Sequence, residues 1–387
     1  MFTLSAILVL MGLFLALGLC FAESASGQPR AMRVYLGTGS RHGSKGIYLA
    51  QLDLEKARLS EPELAVEAQG PGFLAMHPNG KWMYSVGQHV DSQGKKTGGV
   101  YAFAVNADTG ELTTLNQQPS GGDGPCHLVV DREGRCVLVA HYSSGSISVL
   151  PIGSDGELAE PSCVIQHPGP GSGADPRRQE GPHAHSIQVH PSQPFAFAAD
   201  LGLDQLRVYR YDSQAGHLQS IDEAAAPTAP GAGPRHQAFH PSLEDTLYLI
   251  NELDSTVLVL RFDAGTASFE ALQTITTLPE GFEGDNYPSE VAVHPSGRFL
   301  YGANRGHDSL AVFAIDSSSG LLTPVADVPI EGAYPRHFAI DPTGQVLIAA
   351  HQNSNNLAVF RIDADTGEPR FTGQHVELGA PMCVLYV

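Results

Sequence analysis

One short phrase recurs along the chain about every fifty residues. It is a small turn, an apolar run closed by His-Pro or by an aspartate, a polar turn, and a second apolar run. It reads Gly72-Phe-Leu-Ala-Met-His77-Pro78, Pro125-Cys-His127-Leu-Val-Val-Asp131 and His185-Ser-Ile-Gln-Val-His190-Pro191, then Pro234-Arg-His-Gln-Ala-Phe-His240-Pro241, Pro288-Ser-Glu-Val-Ala-Val-His294-Pro295 and Pro335-Arg-His-Phe-Ala-Ile-Asp341-Pro342. The anchors at 77, 131, 190, 240, 294 and 341 lie 54, 59, 50, 54 and 47 residues apart. A period of this size, with several strands per unit, marks a closed circular array rather than a chain of independent domains.

Within each unit the pattern is that of strands. Arg298–Asn304 and Asp308–Asp316 are β-rich runs, and Ser317-Ser-Ser-Gly320 is a hairpin turn leading to a further strand. Four strands per unit is a propeller blade. Six phrases are complete. The piece from Val34 to Leu52 lacks an innermost strand, whereas Gly379–Val387 is an innermost strand with nothing after it. The two fragments together make a seventh blade, which pairs the edges and closes the ring. The expected fold is therefore all-β, a seven-bladed β-propeller over residues 33–387, with one blade closed by N- and C-terminal strands together.

Residues 1–22 stand apart. Phe2 to Phe21 carries no charge, and Ala22 precedes Glu23 at a small-residue cleavage pattern. The segment reads as an export signal, or as an N-terminal membrane anchor if it is retained; exported, periplasmic or secreted placement follows. A net charge of −19 argues against a nucleic-acid partner, because phosphate backbones need a basic footprint. The cysteines show no Cys-x-x-Cys spacing, so no metal and no cofactor is called for. Cys126 and Cys136 flank one strand and its turn, and are read either as a bridge or as free thiols. Oligomeric state leaves no trace in the sequence.

Repetition supplies an internal control, since chemistry that varies among equivalent positions is not needed by the blade. One variable place begins the innermost strand: His127, His183 and His185, Arg235 and His236, Glu290, and Arg336 and His337. The other follows the second strand: His141-Tyr142, Asp200, Asn251-Glu252, Asn304-Arg305 and His351-Gln352. Both belong at one end of the central channel. Arginine forks bind carboxylate or phosphate, and a His or Glu beside them can act as general base. The His of the His-Pro pairs, in contrast, suits a structural turn. Gly39-Ser-Arg-His-Gly43 does not match a nucleophile elbow, so activated water or proton transfer is favoured over an acyl-enzyme. Pro168–Gly181 is Gly/Pro-rich and reads as a solvated linker, or as a mobile loop whose Arg177 and Arg178 cover a substrate.

Gly233-Pro-Arg-His236, Asn251-Glu-Leu253, Ala303-Asn-Arg305 and Pro335-Arg-His337, in this order and at blade spacing, resemble the seven-bladed lactonase family. That family includes bacterial propeller-type 6-phosphogluconolactonases and fungal carboxy-cis,cis-muconate cyclases. The resemblance runs from about Arg33 to Val387. It implies a catalytic set of His185, Arg235, Glu252 and Arg305, with His185 or Glu252 moving the proton and the arginines holding an anionic lactone. His183, His236, Glu290, Asn304, Arg336, His337 and Gln352 are the candidate substrate contacts. The implied reaction is hydrolysis of a sugar lactone to the open aldonate. The alternatives are a muconate-type lactone cycloisomerase and a non-catalytic exported propeller that binds a ligand.

Overall fold

The computed structural model describes residues 31–221 and 225–387. The N-terminal segment read as a signal or anchor lies outside the described residues. Among the described residues every regular element is a β-strand, and the strands form seven antiparallel sheets. In the fifth blade, for example, Pro234–Phe239 is innermost and is followed outward by Thr246–Asn251, Thr256–Asp263 and Ser268–Thr276.

The closing blade is assembled from both ends of the chain. Pro381–Tyr386 is its innermost strand and pairs with Ala31–Thr38, with Tyr35 opposite Leu385 and Leu36 opposite Val384. Gly46–Asp53 then continues the sheet outward. Apolar side chains lock this blade on both sides. Val34, Leu36 and Leu52 pack with Val346, Ile348 and Val359 of the seventh blade, and Tyr35 and Cys383 pack with Met83 and Phe103 of the second. The same logic holds around the ring. Second strands such as Cys136–His141 and Val346–His351 are buried throughout, because a blade covers each of their faces. That is why they read as continuous apolar runs rather than as alternating ones.

The face carrying the His-Pro turns is tied by polar locks between blades. Nδ1 of His240 accepts the Ser242 and Leu243 amides at 3.1 and 2.9 Å, and its Nε2 donates to the Gly297 carbonyl of the next blade at 2.9 Å. His77 and His294 repeat the arrangement toward Gly134 and Gly344. Buried tyrosines add a second series, Tyr35 to Gly110, Tyr84 to Gly156, Tyr248 to Gly320 and Tyr301 to Gly367, each O–H donating to a carbonyl at 2.6 to 3.0 Å. These histidines are structural. Cys126, Cys136, Cys163 and Cys383 are all free thiols. Cys126 faces the His185 carbonyl and Cys136 the Ser213 carbonyl, at opposite ends of one blade's strands, so the bridge considered for the pair is not formed.

Candidate functional site

The variable residues at the start of the innermost strands have a common backbone cause. In several blades the pairing register slips there by one residue. Ala184 pairs with Asp200 and Ser186 with Ala199, which leaves His185 unpaired. The same slip frees Cys126, Arg235 and Arg336, and it frees Ser289 with Glu290. A bulged residue is released from strict alternation and can be aimed at a site. The bulges therefore turn Cys126, His185, Arg235 and Arg336 toward one mouth of the channel. The residues just below, His127, His236, Glu290 and His337, form a second layer.

Glu252 organises the upper layer from the turn after its own second strand. Its Oε2 accepts from Arg235 Nε at 2.8 Å and from Arg305 Nη2 at 2.8 Å, and its Oε1 accepts from Arg178 Nη2 at 2.5 Å. Arg235 also donates to the Ser289 carbonyl. Arg305 donates to the Tyr287 carbonyl at 2.7 Å and lies over the Tyr334 ring. Glu252, Arg235 and Arg305 are about 2 % exposed or less. Burial alone would raise the Glu252 carboxyl, but Arg305, Arg235 and Arg178 together hold it well below the usual carboxylate range. Burial and the repulsion of neighbouring guanidiniums depress Arg235 and Arg336. Four arginines surround one ionised glutamate, an electropositive chamber in a chain of net charge −19. Among the described residues Arg336 has no hydrogen bond or ion pair, so its fork is free for a ligand.

Arg178 was read from the sequence only through the alternative of a loop covering a substrate, and it was not among the candidate site residues. The loop read chiefly as a solvated linker folds over the site instead. Its Gln179 is fully buried and donates to Leu201 O and Asp204 Oδ1 at 2.8 and 2.7 Å. Thus anchored, the loop places Arg178 between Glu252 and the Tyr142 hydroxyl, 3.2 Å from its Nε, whereas Arg177 points into solvent. The signal was Arg178-Gln179 itself, a charged and an amide side chain inside an otherwise Gly/Pro-rich stretch.

The other predicted residues divide between the two layers and the scaffold. His185 sits beside Cys126, Tyr142 and His236, and burial followed by Arg235 and His236 drives its imidazole well below the ordinary value, so it is neutral at pH 7. His236 donates through Nδ1 to Glu290 Oε2 at 2.9 Å, and His337 Nε2 stands 3.3 Å from the same oxygen. His183 stacks on Tyr142 and bonds the Tyr142 carbonyl at 2.8 Å, so it braces the wall rather than joining the arginines. Gln352 occupies the place equivalent to Glu252 and Arg305, half-buried, with its Oε1 unpartnered. Asn304 lies in the blade turn: its Oδ1 accepts from Thr277 and Asn286, and its Nδ2 donates to Thr277 O and Ser309 Oγ. It is fully buried, and these bonds use its amide for the blade turn instead of a substrate.

Fold and site together define a class: a seven-bladed propeller with a buried, arginine-rich cluster where its innermost strands begin. The chain belongs to the lactonase family of seven-bladed β-propellers, whose family model matches residues 33–386. It is 40 % identical over 298 residues to 6-phosphogluconolactonase of Bacillus subtilis, covering 77 % of this chain and 82 % of that protein. It is 33 % identical over 282 residues to 6-phosphogluconolactonase of Formosa agariphila, covering 72 % and 76 %. The structure of a periplasmic gluconolactonase from Pseudomonas aeruginosa superposes with a TM-score of 0.86 at 33 % identity, covering 92 % of this chain and 99 % of the other.

Proposed function

We propose that this protein hydrolyses an anionic sugar lactone, with the chemistry in the Glu252–arginine chamber. The observation that carries the reading is the unpaired Arg336 guanidinium beside Arg235 and Arg305, which Glu252 holds in place. Arg336 takes the carboxylate or phosphate of the substrate, while Arg235 and Arg305 face the carbonyl oxygen as it gains charge. Water adds to the carbonyl carbon and gives a proton to a neutral imidazole, for which His185 is placed beside the arginines. The ring C–O bond then breaks, its oxygen recovers a proton, and the aldonic acid ionises, so one proton is released per turnover. Glu252 is unsuited to carry that proton, since three guanidiniums keep it ionised. Its role is to position them.

The relatives support both a phosphorylated and an unphosphorylated substrate, as 6-phosphogluconolactonase and gluconolactonase respectively. The periplasmic relative also favours an exported protein with residues 1–22 as its signal; a mature N-terminus at Glu23, read by terminal sequencing, is the expected result. The functional test is ring opening of 6-phosphogluconolactone and gluconolactone, corrected for the spontaneous rate, with Arg235→Ala alongside. Enzymatic opening lost in the variant supports the reading. Opening no faster than in buffer rejects it.

A further inference from the structure

Beneath the arginine chamber lies a second ionisable layer that the mechanism above does not use. Glu290 Oε2 receives the Nδ1 proton of His236 at 2.9 Å, which fixes that ring in one tautomer. His236 is 4 % exposed, and its Nε2 is left as a buried lone pair with no hydrogen-bond partner. A carboxylate on one ring nitrogen and a bare acceptor at the other is the arrangement of an oriented proton acceptor. His337 stands on the other side of Glu290, its Nδ1 accepting the Val384 amide at 3.3 Å, so its Nε2–H also points at the carboxylate.

Two further features bear on what the dyad does. The His236 ring is 5.2 Å from that of His185, measured between centroids, so it adjoins the chamber from below. On its other side a cavity of about 600 Å³ runs from His127, His236 and Glu290 down to Pro241 and Pro295 in the His-Pro turns, the opposite face of the ring. The upper face, by contrast, is capped by Arg178. A reaction that releases a proton in a capped chamber needs a route for it.

We infer that His236 and Glu290 form a proton relay, which takes the proton released by ring opening and delivers it to the opposite mouth of the channel. The inference rests on the hydrolase reading. The proton leaves the carboxyl group of the newly formed aldonic acid, is taken up by the neutral His185, which has already returned the first proton to the ring oxygen, and passes to His236 Nε2 through a product oxygen. The Nδ1 proton shifts to Glu290, and Glu290 passes it to water in the lower cavity. Tautomer exchange of the ring restores the starting state, with no net change in the protein. The groups facing His236 are Arg235 on its own strand, His127, His185, Glu290 and His337 from other blades, and Arg305 and Arg336 above. Burial, reinforced by Arg235 and His337, keeps His236 neutral between turnovers, and burial also raises Glu290 toward the protonated form.

The test compares Glu290→Gln and His236→Gln with the unaltered protein at low and high imidazole buffer, after thermal melts show that each variant folds. The relay predicts a kcat at least ~10-fold lower at low buffer, KM within about twofold, and recovery as buffer entering the lower cavity replaces the relay. Nitrogen NMR should show His236 as the Nδ1–H tautomer at pH 7 in the parent and a mixture in Glu290→Gln. Unchanged kcat, or a loss that no buffer concentration restores, overturns the relay while leaving the hydrolase reading intact. An unaltered protein that opens no lactone would remove the hydrolase reading and the relay with it.

Discussion

Glu252→Gln tests whether the chamber is held together by charge. The substitution keeps the shape but replaces one acceptor oxygen by an NH2 donor and removes what is, among the described residues, the only carboxylate contacting Arg178, Arg235 and Arg305. Breaking a buried ion pair costs about 3–5 kcal/mol, because the remaining charge is stranded. Two of the three contacts are fully buried, while the Arg178 side chain is 30 % exposed and contributes little after solvent screening. With an unfolding entropy of ~2 cal/mol/K per residue, a ring of this size changes by ~0.7 kcal/mol per degree, so the expected drop in Tm is about 4–7 °C at pH 7. The sign of the pH dependence follows from the depressed Glu252 carboxyl. Its stabilisation is complete above the unfolded value of ~4.3 and is lost as pH falls through the lower folded value. The gap between parent and variant should therefore be constant from pH 8 to pH 5 and narrow in stronger acid. Calorimetry of both proteins across that range measures it. A gap under 1 °C at pH 7, or one that widens in acid, would refute the electrostatic account.

Deleting residues 381–387 removes the innermost strand of the closing blade and should abolish the single cooperative transition seen by circular dichroism, rather than fray one end. Arg336→Met should raise KM for an anionic lactone by about 10-fold or more, as expected for a lost charge-assisted bond, and change KM for a neutral lactone far less. Arg178→Ala should leave Tm within ~1 °C because its ion pair is half-solvated, yet speed amide exchange through residues 168–181. His294→Ala removes the bond accepted from Ser296 and the bond to Gly344, and should cost about 2–3 kcal/mol in urea unfolding with KM unaltered.

The architecture was legible because propeller blades repeat their grammar. Six anchors and two complementary fragments predicted the ring and its closure by Pro381–Tyr386, and pairing with Ala31–Thr38 follows that reading. The short-range detail was less accessible. In the second blade the second strand runs on through Gln88 and His89 as Trp82–Val90, and its hairpin continues to Lys96 because the Asp91 carboxylate accepts the Gln93 and Lys95 amides. The tyrosine locks were also silent, since a tyrosine in a strand looks the same whether or not its hydroxyl crosses to the next blade. The choice between linker and covering loop, and between Arg177 and Arg178, stayed open for a related reason: loop composition reports the absence of regular structure, not where Gln179 anchors the loop.

The bulges explain why motif comparison separated function from scaffold only in part. In Pro-Arg-His the three letters are adjacent, but the slip in register gives them different tasks: Pro234 pairs with Asn251, Arg235 is freed into the chamber, and His236 resumes pairing one level down. Sequence alone places all of them at the channel mouth and cannot assign the layers. Asn304 and Arg305 illustrate the same limit at the second place, where both residues pair with the bulged strand, yet the Asn304 amide is consumed by the turn and the Arg305 side chain reaches the site. A blade thus separates two demands within two consecutive residues. Ladder pairing preserves the ring, while side chains at the bulge and at the strand end beside it are free to differ from blade to blade, which is how a repetitive fold can hold an asymmetric cluster of arginine, glutamate and histidine at its centre.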